Sequence, residues 1–361
     1  MRTGRHTVLV VVVALYVALS ASAGFAVQPE SAVPDTVDLA VVPFANNTGQ
    51  SDAHALLMPR LERLLTERGL TLVTSGELRP LLREHRVRSR GWIGKHGARL
   101  IGRETGTGFL LLGSWDVLKT SGNLEIGVSL RILDLENMVL IHAVSVAGTG
   151  EDAVSWLDLG RVEDLELLAD SVLERAVDEL IPYPEYAAVR PSWRGCNHVA
   201  VIPLDDYSAT EHAGDIVTNI LLSGLLSAGY FVVEPGFVRE LGLAREVMNR
   251  GGVDCGSAQA ILDSLGACQV ITGAVQRFDP SRGLPTVSVP RFAAGFRASS
   301  TRNGTLYLTR EIEGTGGDDD GIFQLGRVHA ITPLIVEKMN RFIDDLLAAN
   351  RKDIIHGPKK H

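Results

Sequence analysis

The chain has 361 residues, 45% of them hydrophobic and 22% charged, with a formal net charge of −8 at pH 7. This globular balance excludes long-range disorder away from the ends, and the length makes two domains the default. An acidic chain is a poor match for the phosphates of nucleic acid, so no nucleic-acid partner is expected, and it has no electrostatic reason to coat an anionic membrane.

Arg2 and Arg5 open the chain, an apolar run extends from Val8 to Leu19, and Ala21-Ser22-Ala23 follows with a small-x-small pattern. Together these predict a signal peptide over residues 1–27, cleaved near residue 23. Retention as an anchor is the alternative, although the run is short for a membrane span. No cysteine stands near the site, so no lipid anchor of the bacterial lipoprotein type is expected.

Leu39–Phe44 is apolar throughout, as in a strand covered on both faces. From about Ser51 to Arg68, Leu57, Leu61, Leu64 and Leu65 recur at helical spacing; Pro59 predicts a kink or a late start. Gly69 reads as a helix stop, Thr71–Val73 as a short strand and Ser75 as the N-cap of a helix carrying Leu78, Leu81 and Leu82. A short helix at about Ala98–Glu104 ends at Gly106 and leads to the buried strand Phe109–Leu112. Two alternating strands near Leu124–Leu133 and Met138–Val146 follow, turning at Glu136-Asn137, and a helix from about Val162 to Leu180 closes the series.

The series then recurs. At an offset of 160, Ala40, Pro43, Leu65, Gly69, Gly76, Arg79, Ala98, Gly106 and Gly113 meet the same residue types at Ala200, Pro203, Leu225, Gly229, Gly236, Arg239, Ala258, Gly266 and Gly273. Farther on the offset becomes 166: Gly148-Thr149-Gly150 matches Gly314-Thr315-Gly316, and Leu159–Val162 matches Leu325–Val328. The predicted fold class is therefore α/β, with two tandem copies of a β-α-β-α-α-β-β-β-α domain, each a mixed sheet flanked by helices. The second copy ends in a helix near Ile331–Ala348. Pro182, Pro184 and Pro191 mark a linker. The predicted boundaries are a first domain over 36–181, a Pro-rich linker over 182–197, a second domain over 198–350 and a basic tail over 351–361.

The strand Val41–Phe44 running into Asn46-Asn47-Thr48-Gly49, then Gly113-Ser114 closing an apolar strand, then Arg131–Asn137 in a hairpin, resembles bacterial envelope domains of the curli-assembly CsgG, flagellar FlgO and TolB amino-terminal type. The second copy keeps Ala200–Leu204 and Gly273 but departs in the loop and hairpin. The resemblance implies a periplasmic or outer-membrane-associated protein that works by binding other proteins, and it brings no catalytic residues with it. The tandem copies and the lack of a lipidated cysteine set this chain apart from the pore-forming curli protein.

Residues with chemical potential have plain readings beside them. Asn46, Asn47, Thr48 and Gly49 form a candidate interaction loop, or a turn with a helix cap. Gly317–Gly321 holds three consecutive aspartates, whose spacing departs from a calcium loop and fits a solvated one. The histidines make no paired metal-binding spacing, Asp205 and Asp206 are adjacent and point apart in extended chain, and no nucleophile elbow occurs. No cofactor, metal or enzymatic activity is expected. Trp92, Trp115, Trp156 and Trp193 are binding or core residues. Of the three cysteines, Cys196 and Cys268 would adjoin if their strands run parallel and are the candidate disulfide, with Cys255 free at the far end of the sheet; three unpaired thiols are the alternative.

The expected function is that of a non-enzymatic accessory protein, periplasmic or outer-membrane associated, binding an envelope protein through one or both repeats. Peripheral membrane association and homo-oligomerisation are further expectations. The alternative is a subunit of a CsgG-like oligomeric outer-membrane channel, with Asp116–Asp134 and Arg277–Gly295 as the segments to cross the membrane. The prolines at 280, 285 and 290 disfavour the second of these.

Overall fold

A computed structural model describes residues 38–89, 91–152, 161–182, 197–245, 253–280, 289–318 and 328–356. The predicted signal peptide, most of the linker, Trp156, Trp193 and Cys196 lie outside the described residues. The first series comprises β1 (Asp38–Val41), β2 (Ala45–Asn46), α1 (Ala53–Glu67), β3 (Thr71–Val73), α2 (Ser75–Glu84), α3 (Lys95–Thr105), β4 (Phe109–Lys119), β5 (Glu125–Asp134), β6 (Val139–Thr149) and α4 (Leu165–Leu180). The second comprises β7 (His198–Val201), β8 (Asp205–Asp206), α5 (Ala213–Ser227), β9 (Phe231–Val233), α6 (Pro235–Ala244), α7 (Cys255–Leu265), β10 (Gln269–Asp279), β11 (Arg291–Ser300), β12 (Leu306–Thr315) and α8 (Ile331–His356). Apart from β2 and β8, two-residue strands in the loops after β1 and β7, the order is the predicted one, twice over.

Local chemistry accounts for the elements. In α1, Leu57, Leu61, Leu64 and Leu65 are buried as their spacing requires. Pro59 lies inside this helix and neither delays nor ends it. Pro59 and Ala55 are both exposed, so the carbonyl that proline leaves unbonded faces water. Both α1 and α5 are followed by a glycine in the left-handed region, Gly69 at φ +86° and Gly229 at φ +84°. The cap of α2 is Thr74, not Ser75: Thr74 Oγ1 accepts from the Glu77 N–H, and the Glu77 carboxylate accepts from the Thr74 N–H at 2.8 Å. This reciprocal pair satisfies two donors that a serine one residue later could not reach.

Within each series the first strand sits between two parallel neighbours: β1 between β3 and β4, and β7 between β9 and β10. Antiparallel β5 and β6 extend the first half, and β11 and β12 the second. The halves join edge to edge. β6 pairs antiparallel with β9 at Leu140 and Val232, giving one 12-stranded mixed sheet whose outer edges are β3 and β12. The described residues from Asp38 onward accordingly fall in one compact unit.

Burial explains why. Helix α5 is apolar almost all round, with Ile216, Val217, Ile220, Leu221, Leu222 and Leu225 buried. A helix of that kind needs cover on every side, and α5 lies against β5 and β6 of the first half as well as against α8. Each fully buried leucine or isoleucine contributes roughly 1.5–3 kcal/mol relative to exposure. One apolar core therefore runs from Ala40 and Leu110 through Leu140 to Val199, Leu221 and Phe342. As a result β5 is buried at every position, whereas β11 alternates between buried and more exposed positions. In the segment Asp116–Asp134, one of the two considered for a membrane crossing, Asp116–Leu118 and Leu124–Asp134 are buried within the sheet, and Thr120–Gly122 of the intervening turn are exposed. Arg277–Asp279 and Arg291–Gly295 of the other segment belong to β10 and β11. Among the described residues, no helix is long and apolar enough to cross a membrane.

Candidate functional site

The joint between the halves carries an unusual amount of buried polar chemistry. Arg131, on β5 and 2% exposed, donates from Nε to Glu234 Oε2 at 2.9 Å and from Nη2 to Glu234 Oε1 at 3.1 Å. Glu234 is the N-cap of α6 in the other half and is wholly buried. It also accepts from the Ile93 N–H at 3.3 Å. Arg131 reaches the Gly91 carbonyl and donates to Asn219 Oδ1 at 3.3 Å, and its guanidinium lies 4.5 Å over the Trp92 ring. A bidentate pair that bonds in this way is the arrangement in which two buried charges offset their lost hydration.

Close packing brings these groups together. A Cβ at Gly236 would stand 2.1 Å from the Ile93 carbonyl oxygen, so only glycine lets α6 approach the backbone leading into α3. Asn219 on α5 donates to Ser114 Oγ at 2.8 Å, and Ser114 and Ser129 donate to Asp116 at 2.5 and 2.6 Å. Asn47 Nδ2 adds a 3.4 Å contact to the same carboxylate. Burial pushes the Asp116 carboxyl up to about 6, against the hydrogen bonds of Ser114, Ser129 and Asn47, which favour its ionised form. At the far side of the joint, Glu125 Oε1 accepts from the Ile331 N–H at the start of α8 at 3.3 Å, a carboxylate at a helix N-terminus.

Beside this network opens a cleft of about 580 Å³, lined by Phe44, Asn46, Asn47, Trp92, Asp215 and Arg239 among others. Trp92 Nε1 donates to Asp215 Oδ1 at 3.4 Å, and burial raises the Asp215 carboxyl while the Trp92 hydrogen bond opposes it. The candidate loop Asn46–Gly49 thus borders a concave surface shared by both halves. Its polar groups, however, mostly satisfy one another. Asn46 Oδ1 accepts from the Thr48 N–H at 3.2 Å and from Thr48 Oγ1 at 2.7 Å, Thr48 Oγ1 accepts from the Gln50 N–H at 3.0 Å, and Gly49 has φ +73°. The second half builds the same turn from Asp206 and Ser208, with Oδ1 accepting at 2.9 and 2.8 Å. One difference matters: Asn47 is 8% exposed and turned inward, whereas Tyr207 at the matching position is 70% exposed.

The other sequence candidates fall into structural roles. Asp318 accepts from the Thr315 N–H and Oγ1, both at 3.0 Å, repeating the Asp152–Thr149 turn of the first half. Asp319 and Asp320 lie outside the described residues. Among the described residues, no three His, Cys, Asp or Glu side chains gather as a metal site. Trp92 and Trp115 are both buried, Trp115 against Phe44 with ring centroids 4.9 Å apart. Strands β7 and β10 are parallel neighbours, and the Cys268 N–H donates to the His198 carbonyl at 3.0 Å. The pairing Cys196–Cys268 involves a residue outside the described ones. Cys255 is exposed, and its position corrects the expectation of a far-end location. Its Sγ is 3.7 Å from the Asn303 carbonyl, in the β11–β12 turn, and Thr301 of that turn bonds the Cys268 carbonyl at 3.0 Å. Helix α7 therefore begins and ends near the same end of the sheet.

The Arg131–Glu234 pair and the Asp116 cage are not predicted from the sequence, although a signal is present. Polar residues interrupt an otherwise apolar strand at Glu125, Ser129 and Arg131, and α5 lacks any polar face.

No family model matches the chain, and no curated protein does. Among solved structures, it is similar to a single-residue variant of the PelC dodecamer from Paraburkholderia phytofirmans, with 17% identity, 44% of this chain and 94% of that one covered, and a TM-score of 0.30. It is similar to lipoprotein GNA1162 from Neisseria meningitidis, with 16% identity, coverage of 42% and 98%, and a TM-score of 0.29. It is similar to the LpoB C-terminal domain from Escherichia coli, with 19% identity, coverage of 31% and 82%, and a TM-score of 0.26.

Proposed function

We propose that the protein is a non-enzymatic accessory protein of the bacterial envelope, and that it binds another envelope protein on the face where its two halves meet. The observation that carries this reading is the disposition of the polar groups at the joint. Arg131 and Glu234 are occupied in holding the halves together, Asp116 is bonded by Ser114, Ser129 and Asn47 of its own half, and none of the three lies in an open site. What faces solvent there is shape: concave surfaces built from both halves, with Trp92, Phe44 and Arg239 around one of them and the exposed Leu243 nearby on α6. A rigid joint that presents a two-sided concavity suits recognition. The charged, apolar and small-residue pattern at residues 2–23 supports export.

Photo-crosslinking in cells tests this. A benzoylphenylalanine at Asn46, Arg99 or Leu243 on the joint face should trap one protein that the same group at Arg63 or Asp178 does not. Purified protein should show no turnover in hydrolase or transferase screens. Turnover abolished by a single polar substitution, or an equal crosslinking pattern from both faces, overturns the reading.

A further inference from the structure

The acidic net charge conceals an uneven distribution. Around α1 and α4 the arginines are neutralised in pairs: Arg60 with Glu166 at 2.8 Å, Arg63 with Glu67 at 2.9 Å, and Arg68 with Asp178. Helix α3 is different. Lys95, Arg99 and Arg103 follow one another at every fourth residue, on one side of the helix, and none makes an ion pair among the described residues. Arg99 and Arg103 are exposed.

These three cations line one wall of a groove of about 1000 Å³ between the halves. The opposite wall is apolar, with Phe237 and Leu241 on α6 and Leu265 at the end of α7, and Leu135 from the turn after β5 adds an apolar side chain next to α3 at Gly102. The three leucines are only partly buried against the core. Two acids also line the groove. Glu136 is exposed, and the Glu240 carboxylate accepts from the His96 N–H at 3.4 Å.

We propose that this groove docks an acidic amphipathic helix of a protein partner. The proposal rests on the partner-binding reading above and names the chemistry of what is bound. Cations at a four-residue repeat are spaced about 6 Å apart along the axis, the same spacing as acids at i and i+4 on a helix lying alongside. The eleven residues of α3 span roughly 16 Å, enough for three turns of partner. A free anion would leave the leucine wall unused, and the mixed lining calls for a ligand with one apolar stripe and one acidic edge. Unpaired surface cations are solvated in the free protein, so their contribution is salt-sensitive and falls mainly on orientation and association rate.

The test is selection of a displayed library of helical peptides on the full exported chain. Enriched peptides should carry Asp or Glu at i and i+4 beside an apolar stripe. Their affinity should fall about 10-fold or more with Arg99→Glu plus Arg103→Glu, and should recover when the peptide acids are changed to lysine. Both arginines are exposed, so the variant should keep the wild-type circular dichroism spectrum. Selected peptides without acidic bias, or binding indifferent to the charge reversal, overturn the proposal. Binding to phosphatidylglycerol vesicles that the same variant abolishes, with no peptide enriched, assigns the groove to lipid and overturns it as well. The partner reading fails separately, when no protein is crosslinked from any joint-face position. If crosslinks form at Asn46 but peptides show no acidic preference, only the groove proposal falls.

Discussion

Glu234→Ala should be among the most damaging single changes in the molecule. It leaves the Arg131 guanidinium, 2% exposed, without its carboxylate and with only the Gly91 carbonyl and Asn219 Oδ1 as acceptors. It also strips the Ile93 N–H of its 3.3 Å acceptor. Removing one partner of a buried pair costs about 3–5 kcal/mol, because an uncompensated charge remains in low dielectric. Arg131→Met should cost a similar amount, since Glu234 is then buried with no cation beside it. Replacing both, as Arg131→Met with Glu234→Leu, removes the two charges together and should cost under about 2 kcal/mol. The double-mutant cycle would then show a coupling of several kcal/mol. Urea unfolding followed by far-ultraviolet circular dichroism and tryptophan fluorescence measures all four proteins. The shared core predicts one cooperative transition for the wild type. Single variants costing under about 1 kcal/mol, or a double variant equal to the sum of the singles, would refute the claim that this pair holds the halves together.

Asp116 gives a pH test: its carboxyl titrates near 6 in the folded protein against an ordinary 3.8, so between those values the folded state holds a proton that the unfolded state releases. Stability from this group is fully present below the lower value and lost as pH rises through the upper one, in total about 3 kcal/mol for a gap of about two pH units. The wild type minus Asp116→Asn difference, measured by urea unfolding between about pH 4 and 7, should follow that slope; two parallel curves count against it. Gly236 and Gly76 hold the same repeat position with different surroundings. Gly236→Ala drives a Cβ into the Ile93 carbonyl and should destabilise by several kcal/mol, about the cost of severe overpacking, while Gly76→Ala meets only Thr74 Oγ1 at 3.8 Å and should be neutral or gain up to about 1 kcal/mol. Equal melting shifts for the two would contradict the geometry. Thr74→Ala removes the capping box of α2 and should cost about 1 kcal/mol in thermal unfolding, whereas Thr74→Ser should restore most of it.

The sequence is legible wherever an element depends on its own half. Thr71–Val73 is a strand as read, Gly69 and Gly106 end helices with positive φ, and the closing helix buries Leu168, Ala169, Val172 and Leu173 at the expected spacing. It is illegible where one half depends on the other. Reading Leu124–Leu133 as an alternating strand rests on the premise that one face meets water, and α5 removes that water by lying against β5 and β6. The edge pairing through Leu140 and Val232 is likewise set between strands of different halves, and neither strand's own sequence marks it.

The divergence between the copies therefore marks the joint. Arg131 and Arg297 hold matching positions, yet Arg131 is buried beneath the second half and Arg297 is exposed. Asn219, which bonds both Ser114 and Arg131, stands where the first copy has the exposed Pro59, which has no side-chain donor to offer. Ser114 in turn matches Ala274, and Ser129 matches Gly295, so the second copy lacks the cage that Asp116 occupies. Helix α1 carries Arg60, Glu62 and Arg63 where α5 carries Ile220, Leu222 and Ser223. A repeat that kept α5's composition in both copies would expose an apolar helix face on one of them, which invites association. The substitutions follow from geometry: α8 packs on β11 and β12, whereas β5 and β6 carry α4 and, in addition, α5 from the other half. Differences in polarity between the copies therefore point to the joint at Asn219, Ser114 and Ser129, whereas Arg131 and Gly236, which the other copy shares, are set apart by their surroundings alone.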